Sequence, residues 1–136
     1  MREMELNNLT EKNNKSWYAL YTKPRWEKKV HERLLREGIE SWCPIQKIQK
    51  QWSDRKKIVE EPLFRSYVFV HIDYTTERLA VTMVDGVLNF VYWLRKPAII
   101  RTEEIENIQR YLNEKDAKIE LRTLEQAFAR RLGVSQ

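Results

Sequence analysis

Glycine is scarce in this chain: Gly38, Gly86 and Gly133 are the three in 136 residues. They stand too far apart for a phosphate-cradling loop or a dinucleotide fingerprint, both of which need clustered glycines to expose backbone N–H groups. Cysteine is scarcer still. The single Cys43 cannot close an intramolecular disulfide, and beside Pro44 among apolar neighbours it reads as a small buried hydrophobe. His31 and His71 lie far from each other and from Cys43, so no CxxC or HExxH ligand spacing exists and no metal site is expected. The acidic pair Glu60 and Glu61, near Asp73 and Lys57, does not repair this: neighbours on a strand point to opposite faces and cannot converge on one ion. No apolar run is long enough to span a bilayer, and the start MREMELNNLTEKNNKS has no apolar core of a secretion signal. The expectation is a cytoplasmic, monomeric, non-catalytic protein with no cofactor, no small-molecule substrate and no membrane partner.

Apolar residues make up 42% of the sequence and aromatics 11%, with five Trp, which suffices for one core. The formal charge is +5 and its distribution is uneven. From Lys15 to Lys57 there are 12 Lys or Arg against 5 Asp or Glu, a balance of +7, so the rest of the chain sums to −2. A basic half of this kind suits a polyanionic partner.

Residues 1–15 are polar and aperiodic and are expected to be a disordered extension. SWYALYT alternates as a strand that is apolar on both faces. In KPRWEKKVHERLLREG the period changes: Pro24 suits a first helical turn, Gly38 an end, and Trp26, Val30 and Leu34 recur every four residues. IESWCPIQKIQKQW reads as a strand with Pro44 marking an edge or bulge, and SDRK as the turn that returns it through Ile58 and Val59 in a long basic hairpin. EEPLFRSYVFVHID continues as a strand, with Tyr67, Phe69 and His71 on one face and Val68, Val70 and Ile72 on the other. Neither face is polar. YTTERLAVTMVDG suits a short helix capped near Thr75 or Thr76, GVLNFVYWL a further strand, and TEEIENIQRYLNEK a helix capped by Thr102. Residues 113–136 read as a polar linker and a short amphipathic tail carrying Leu121, Leu124, Phe128 and Leu132. The order implies an α+β fold, a mostly antiparallel four-stranded sheet flanked by helices.

Arg25, Lys29, Arg33 and Arg36 fall at i, i+4, i+8 and i+11 on the first helix, a single cationic stripe. Lys23 precedes them, and Trp26 adds a ring able to stack on an unpaired base. A solvated face whose charges pair with Glu32 and Glu37 explains the same residues and stays open here. Lys47, Lys50, Arg55, Lys56 and Lys57 form a second basic cluster on the hairpin.

WYALYTKPRWEKKVHERL, then EEPLFRSYVFVHID, then DGVLNFVYWLRKPAII, in that order, resemble the N-terminal domain of NusG-family transcription factors over residues 16–112, and are most similar to antiterminators of the UpxY and RfaH kind. Arg65-Ser66 departs from the Pro-led pair usual in the family, which should alter the bend before the strand without removing it. The resemblance implies an elongation or antitermination factor that suppresses pausing or termination. It implies that an apolar patch at Phe64, Tyr67 and Phe69 docks on the RNA polymerase clamp helices, with Tyr67 and Phe69 facing the partner. Val68, Val70 and Ile72, small, β-branched and suited to packing under helices, are expected in the core. Lys23, Trp26, Lys29 and Arg33, joined by Arg25 and Arg36 of the stripe, would face non-template DNA in the transcription bubble. The small KOW barrel that follows in the family is expected to be absent here. The alternative is a free-standing module for single-stranded nucleic acid, using its sheet aromatics to stack bases.

Overall fold

The computed structural model describes residues 14–113; the expectations for residues 1–13 and for the tail lie outside the described residues. In chain order the elements are β1 (Ser16–Thr22), α1 (Glu27–Arg36), β2 (Glu40–Trp42), β3 (Ile45–Gln51), β4 (Lys56–Pro62), β5 (Tyr67–Ile72), α2 (Tyr74–Thr82), β6 (Val87–Phe90), β7 (Tyr92–Trp93), β8 (Lys96–Pro97), β9 (Ile99–Ile100) and α3 (Thr102–Asn113). The class is α+β. Strands β2-β5-β1-β6 form the main antiparallel sheet, and β9 adds a short fifth strand against β1. The hairpins β3-β4 and β7-β8 are separate two-stranded ribbons.

Both apolar faces of the central strands are covered, which is why neither β1 nor β5 alternates with polar residues. On one side Leu20, Val68, Val70 and Ile72, all 0% exposed, pack with Val30 and Leu34 of α1 and Val81 of α2. On the other, Ala19 and Phe69, also 0% exposed, join Ile105, Ile108 and Tyr111 of α3. The expected division of β5 into a core face and a partner face is therefore corrected at Phe69, which lies in the interior. Phe64 is buried in the same cluster, its ring edge-on to Phe69 at 5.7 Å.

Several long strands of the sequence reading are broken. Pro44 has no N–H to give a ladder, and the break between β2 and β3 falls at Cys43-Pro44, where Leu63 N–H donates to the Pro44 carbonyl at 2.8 Å. The bend before β5 survives without its proline. Ser66 takes a left-handed φ of 64°, its N–H donating to Glu27 Oε2 (3.1 Å) and its carbonyl accepting from Thr22 N–H (2.9 Å). GVLNFVYWL also breaks, because Leu94 and Arg95 (φ 52° and 65°) close a tight β7-β8 turn. Asp73, rather than Thr75 or Thr76, caps α2: its carboxylate accepts from Thr75 N–H while Glu77 Oε1 accepts from the Asp73 N–H, both at 3.1 Å.

Candidate functional site

Helix α1 starts later than expected. Pro24 and Arg25 (φ 68°) form a turn closed by Trp26 N–H donating to the Lys23 carbonyl at 3.1 Å, and the first helical residue is Glu27. Proline followed by a left-handed residue has the dihedral pattern of a type II turn, here with arginine at a position glycine usually fills. The turn removes Arg25 from the helical stripe. It lines a cleft of about 610 Å³ with Lys28, Arg65, Glu27 and Glu61, between the start of α1 and the base of the β3-β4 hairpin. Lys28 Nζ donates to the Glu60 carbonyl at 3.0 Å and ties the two elements together.

The same turn sets Trp26 at the edge of the α1 core layer, half-buried, with cations around its ring. Lys29 Nζ lies 4.3 Å from the ring centroid, Lys23 Nζ 4.6 Å and the Arg33 guanidinium carbon 5.2 Å. Each contact is within the range where the negative ring face attracts a cation. From within, Gly86 (φ 101°) leaves no room for a side chain, since a Cβ there would stand 2.7 Å from both Trp26 Cε3 and Val30 Cγ2. The indole is thus seated by glycine backbone on one side and ringed by positive charge on another. Arg36, exposed in the last turn of α1, stands outside this cage, as does Arg25.

Asp85 is the acid of the cage, and sequence reasoning missed it. One carboxylate oxygen lies 3.7 Å from Lys23 Nζ, and the other accepts from Arg33 at 3.3 Å, while the Asp85 carbonyl accepts from the same Arg33 nitrogen at 3.0 Å. Glu32 and Glu37, the expected partners of the stripe, form none of the ion pairs among the described residues. The available signal was VDG, a loop whose glycine at positive φ packs directly on the helix.

The hairpin carries its cations on an exposed ribbon. Lys50 pairs with Glu61, and that contact holds the Glu61 carboxyl below its usual range, with Arg65 and Lys28 contributing less. Lys57 lies 4.6 Å from the ring centroid of Trp52, itself 47% exposed at the hairpin tip. Burial pushes the Cys43 thiol up to about 11, which leaves it protonated and unreactive. Among the described residues no group of three or more His, Cys, Asp or Glu side chains could hold a metal, and no helix is long and apolar enough to cross a membrane.

On the opposite sheet face, Tyr67 is half-buried, its ring 5.2 Å from Tyr21. Farther along the same face Trp17 and Trp42, partly buried, meet edge to face at 6.3 Å, Trp42 packs on Phe69 at 5.9 Å, and His71 stacks on Trp17 at 5.0 Å. Of the expected docking residues, Tyr67 alone reaches the surface; Phe64 and Phe69 form the floor beneath it.

Comparison with known proteins agrees with this architecture. The family model described as "Transcription termination factor nusG" matches residues 15–109. A solved structure from Thermotoga maritima, "Domain interaction in Thermotoga maritima NusG", is similar at TM-score 0.51 and 28% identity, covering 71% of this chain and 56% of that one. The chain thus spans a little over half the length of that relative. The family is one of non-enzymatic transcription factors whose members generally interact with RNA polymerase. With the match extending over most of its length, and with the α+β sheet and helices in place, this chain belongs to the NusG family.

Proposed function

We propose that the chain is an elongation or antitermination factor that binds RNA polymerase through its aromatic sheet face and non-template DNA through the Trp26 cage, suppressing pausing or termination. The observation that carries the DNA contact is the convergence of Lys23, Lys29 and Arg33 on one half-buried indole. Exposed cation–π contacts are worth about 0.5–1 kcal/mol each, whereas a base stacked on an aromatic side chain is worth about 1–3 kcal/mol. An unpaired base that displaces one cation from the ring therefore gains, and the displaced cation becomes available to the adjoining phosphate.

Polymerase docking rests on Tyr67 with Tyr21 beside it and Trp42 and Trp17 farther along the same sheet face, an aromatic surface suited to the clamp helices. Phe64 and Phe69 set its shape from below. A factor held at both contacts acts by favouring one conformation of the polymerase cleft, with no bond made or broken. The test is a pausing assay with host polymerase, alongside crosslinking to the non-template strand. Trp26→Ala should lose the crosslink and about tenfold in effective concentration, in line with one lost stacking contact, while retaining polymerase binding. Tyr67→Ala should lose polymerase binding. Full antipausing activity in Trp26→Ala would overturn the DNA contact, and salt-sensitive binding to free single strands with no polymerase affinity would favour a free-standing nucleic-acid module.

A further inference from the structure

The Trp26 cage contains a negative charge where a nucleic-acid ligand would bring its own. Asp85 sits between Lys23 (3.7 Å) and Arg33 (3.3 Å), two of the three cations over the indole, and is itself well exposed. Arg33 has a second anchor, the Asp85 carbonyl at 3.0 Å, so its placement does not depend on the carboxylate alone. A carboxylate that bridges an ammonium and a guanidinium presents the same kind of acceptor oxygens as a phosphate diester. Both would compete for the same donors.

We infer that Asp85 is a built-in phosphate mimic: it occupies the phosphate subsite of the cage and lowers affinity for isolated single strands, so that binding needs the strand to be presented. The inference rests on the reading of the Trp26 cage as a nucleic-acid site, and it adds which atoms receive the phosphate and what it must displace. In the free protein the carboxylate cancels much of the field of Lys23 and Arg33 and leaves Lys29 as the one of the three cations with no ion pair among the described residues. A strand that seats a base on Trp26 and a phosphate between Lys23 and Arg33 pushes the Asp85 carboxylate into solvent, where its exposure makes hydration easy. Because Gly86, next in the chain, packs on the indole, the backbone that carries Asp85 is anchored beside the ring while its carboxylate is free to swing away.

The experiment is fluorescence anisotropy of a labelled oligo-dT with the full chain across a salt series, using wild type, Asp85→Asn, Asp85→Glu and Trp26→Ala. Asp85→Asn retains the backbone carbonyl that holds Arg33 but removes the charge. It should raise affinity by about fivefold, in keeping with two exposed ion pairs released, and steepen the slope of log K on log salt by about 0.7 for the one additional phosphate neutralised. Asp85→Glu keeps the charge and should stay near wild type. Affinity in Asp85→Asn equal to or below wild type overturns the inference, as does the absence of measurable binding in both. A merely structural role would lower binding in Asn and Glu variants together and is likewise a refutation. Failure of the underlying reading looks different: Trp26→Ala would then bind as wild type whatever Asp85 does.

Discussion

Gly86→Ala tests the way the indole is seated. Two costs add at this position. The backbone sits at φ 101°, where a Cβ is strained by about 1–3 kcal/mol. The new methyl would also stand 2.7 Å from Trp26 Cε3 and from Val30 Cγ2, the latter on a fully buried side chain. Overpacking of that kind costs about 1–3 kcal/mol. The sum is about 2–6 kcal/mol, a large share of the stability of a small domain. With each kcal/mol worth roughly 4–8 °C in a domain of this size, melting should fall by at least about 8 °C. Gly38 supplies the internal control: it has a positive φ of 77° and nothing within 4 Å of where a methyl would stand, so Gly38→Ala carries the backbone cost alone. Urea denaturation of both variants separates the two contributions, and Trp fluorescence reports whether the indole has moved. Gly86→Ala no more destabilising than Gly38→Ala would refute the steric argument.

Phe69→Ala should destabilise by about 3–5 kcal/mol, the range for truncating a fully buried aromatic, in urea denaturation; a loss of polymerase binding with unchanged stability would contradict its interior position. Burial, with Tyr21 beside it, pushes the Tyr67 phenol up to about 12 from an ordinary 10.0. The folded state thus favours the protonated form, and the stability this carries is whole below pH 10 and is lost as pH rises from there through about 12. The Tyr18 and Tyr92 phenols are also raised, so alkaline spectrophotometric titration of wild type and Tyr67→Phe should differ by one late-ionising phenol; loss of an ordinary phenol instead would contradict it. Replacing Leu94-Arg95 by Asn-Gly should stabilise by about 1–2 kcal/mol, because both residues hold positive φ in the tight turn and Leu94, 75% exposed, gives up little burial. Thermal melting measures it, and a lower melting temperature would count against the turn assignment.

Local signals with one interpretation were legible in the sequence. The four-residue recurrence of Trp26, Val30 and Leu34 does face the core, and Pro44 does interrupt a strand. The double apolarity of β5 was visible, but its meaning was not: Phe69 and Val68 are equally buried, and only the placement of α3 on the second face decides that. Leu94-Arg95 lacks the Asn-Gly pattern that marks such turns, so the register of β1 with β6 and β9 imposes it against local preference. Arg25 failed for a related reason, since a helical stripe presumes helical dihedrals and a φ of 68° breaks the count. Asp85 reaches Arg33 across 52 positions, a separation that no helical spacing rule can bridge.

That separation explains why the cage depends on the whole fold. Its cations come from α1 and the turn before it, but Asp85, which pairs with two of them, and Gly86, which seats the indole, lie on the α2–β6 connection, held in place because Lys23 N–H donates to the Gly86 carbonyl at 3.0 Å as β6 pairs with β1. An isolated α1 peptide would keep Lys29 within reach of Trp26 by helical spacing, yet would lose the seat of the ring and both contacts to Asp85. Without tertiary packing so short a helix is also marginal in water. The cage is therefore a property of two loops meeting over one helix, and a substitution in either loop acts on its geometry even where it does not touch the indole.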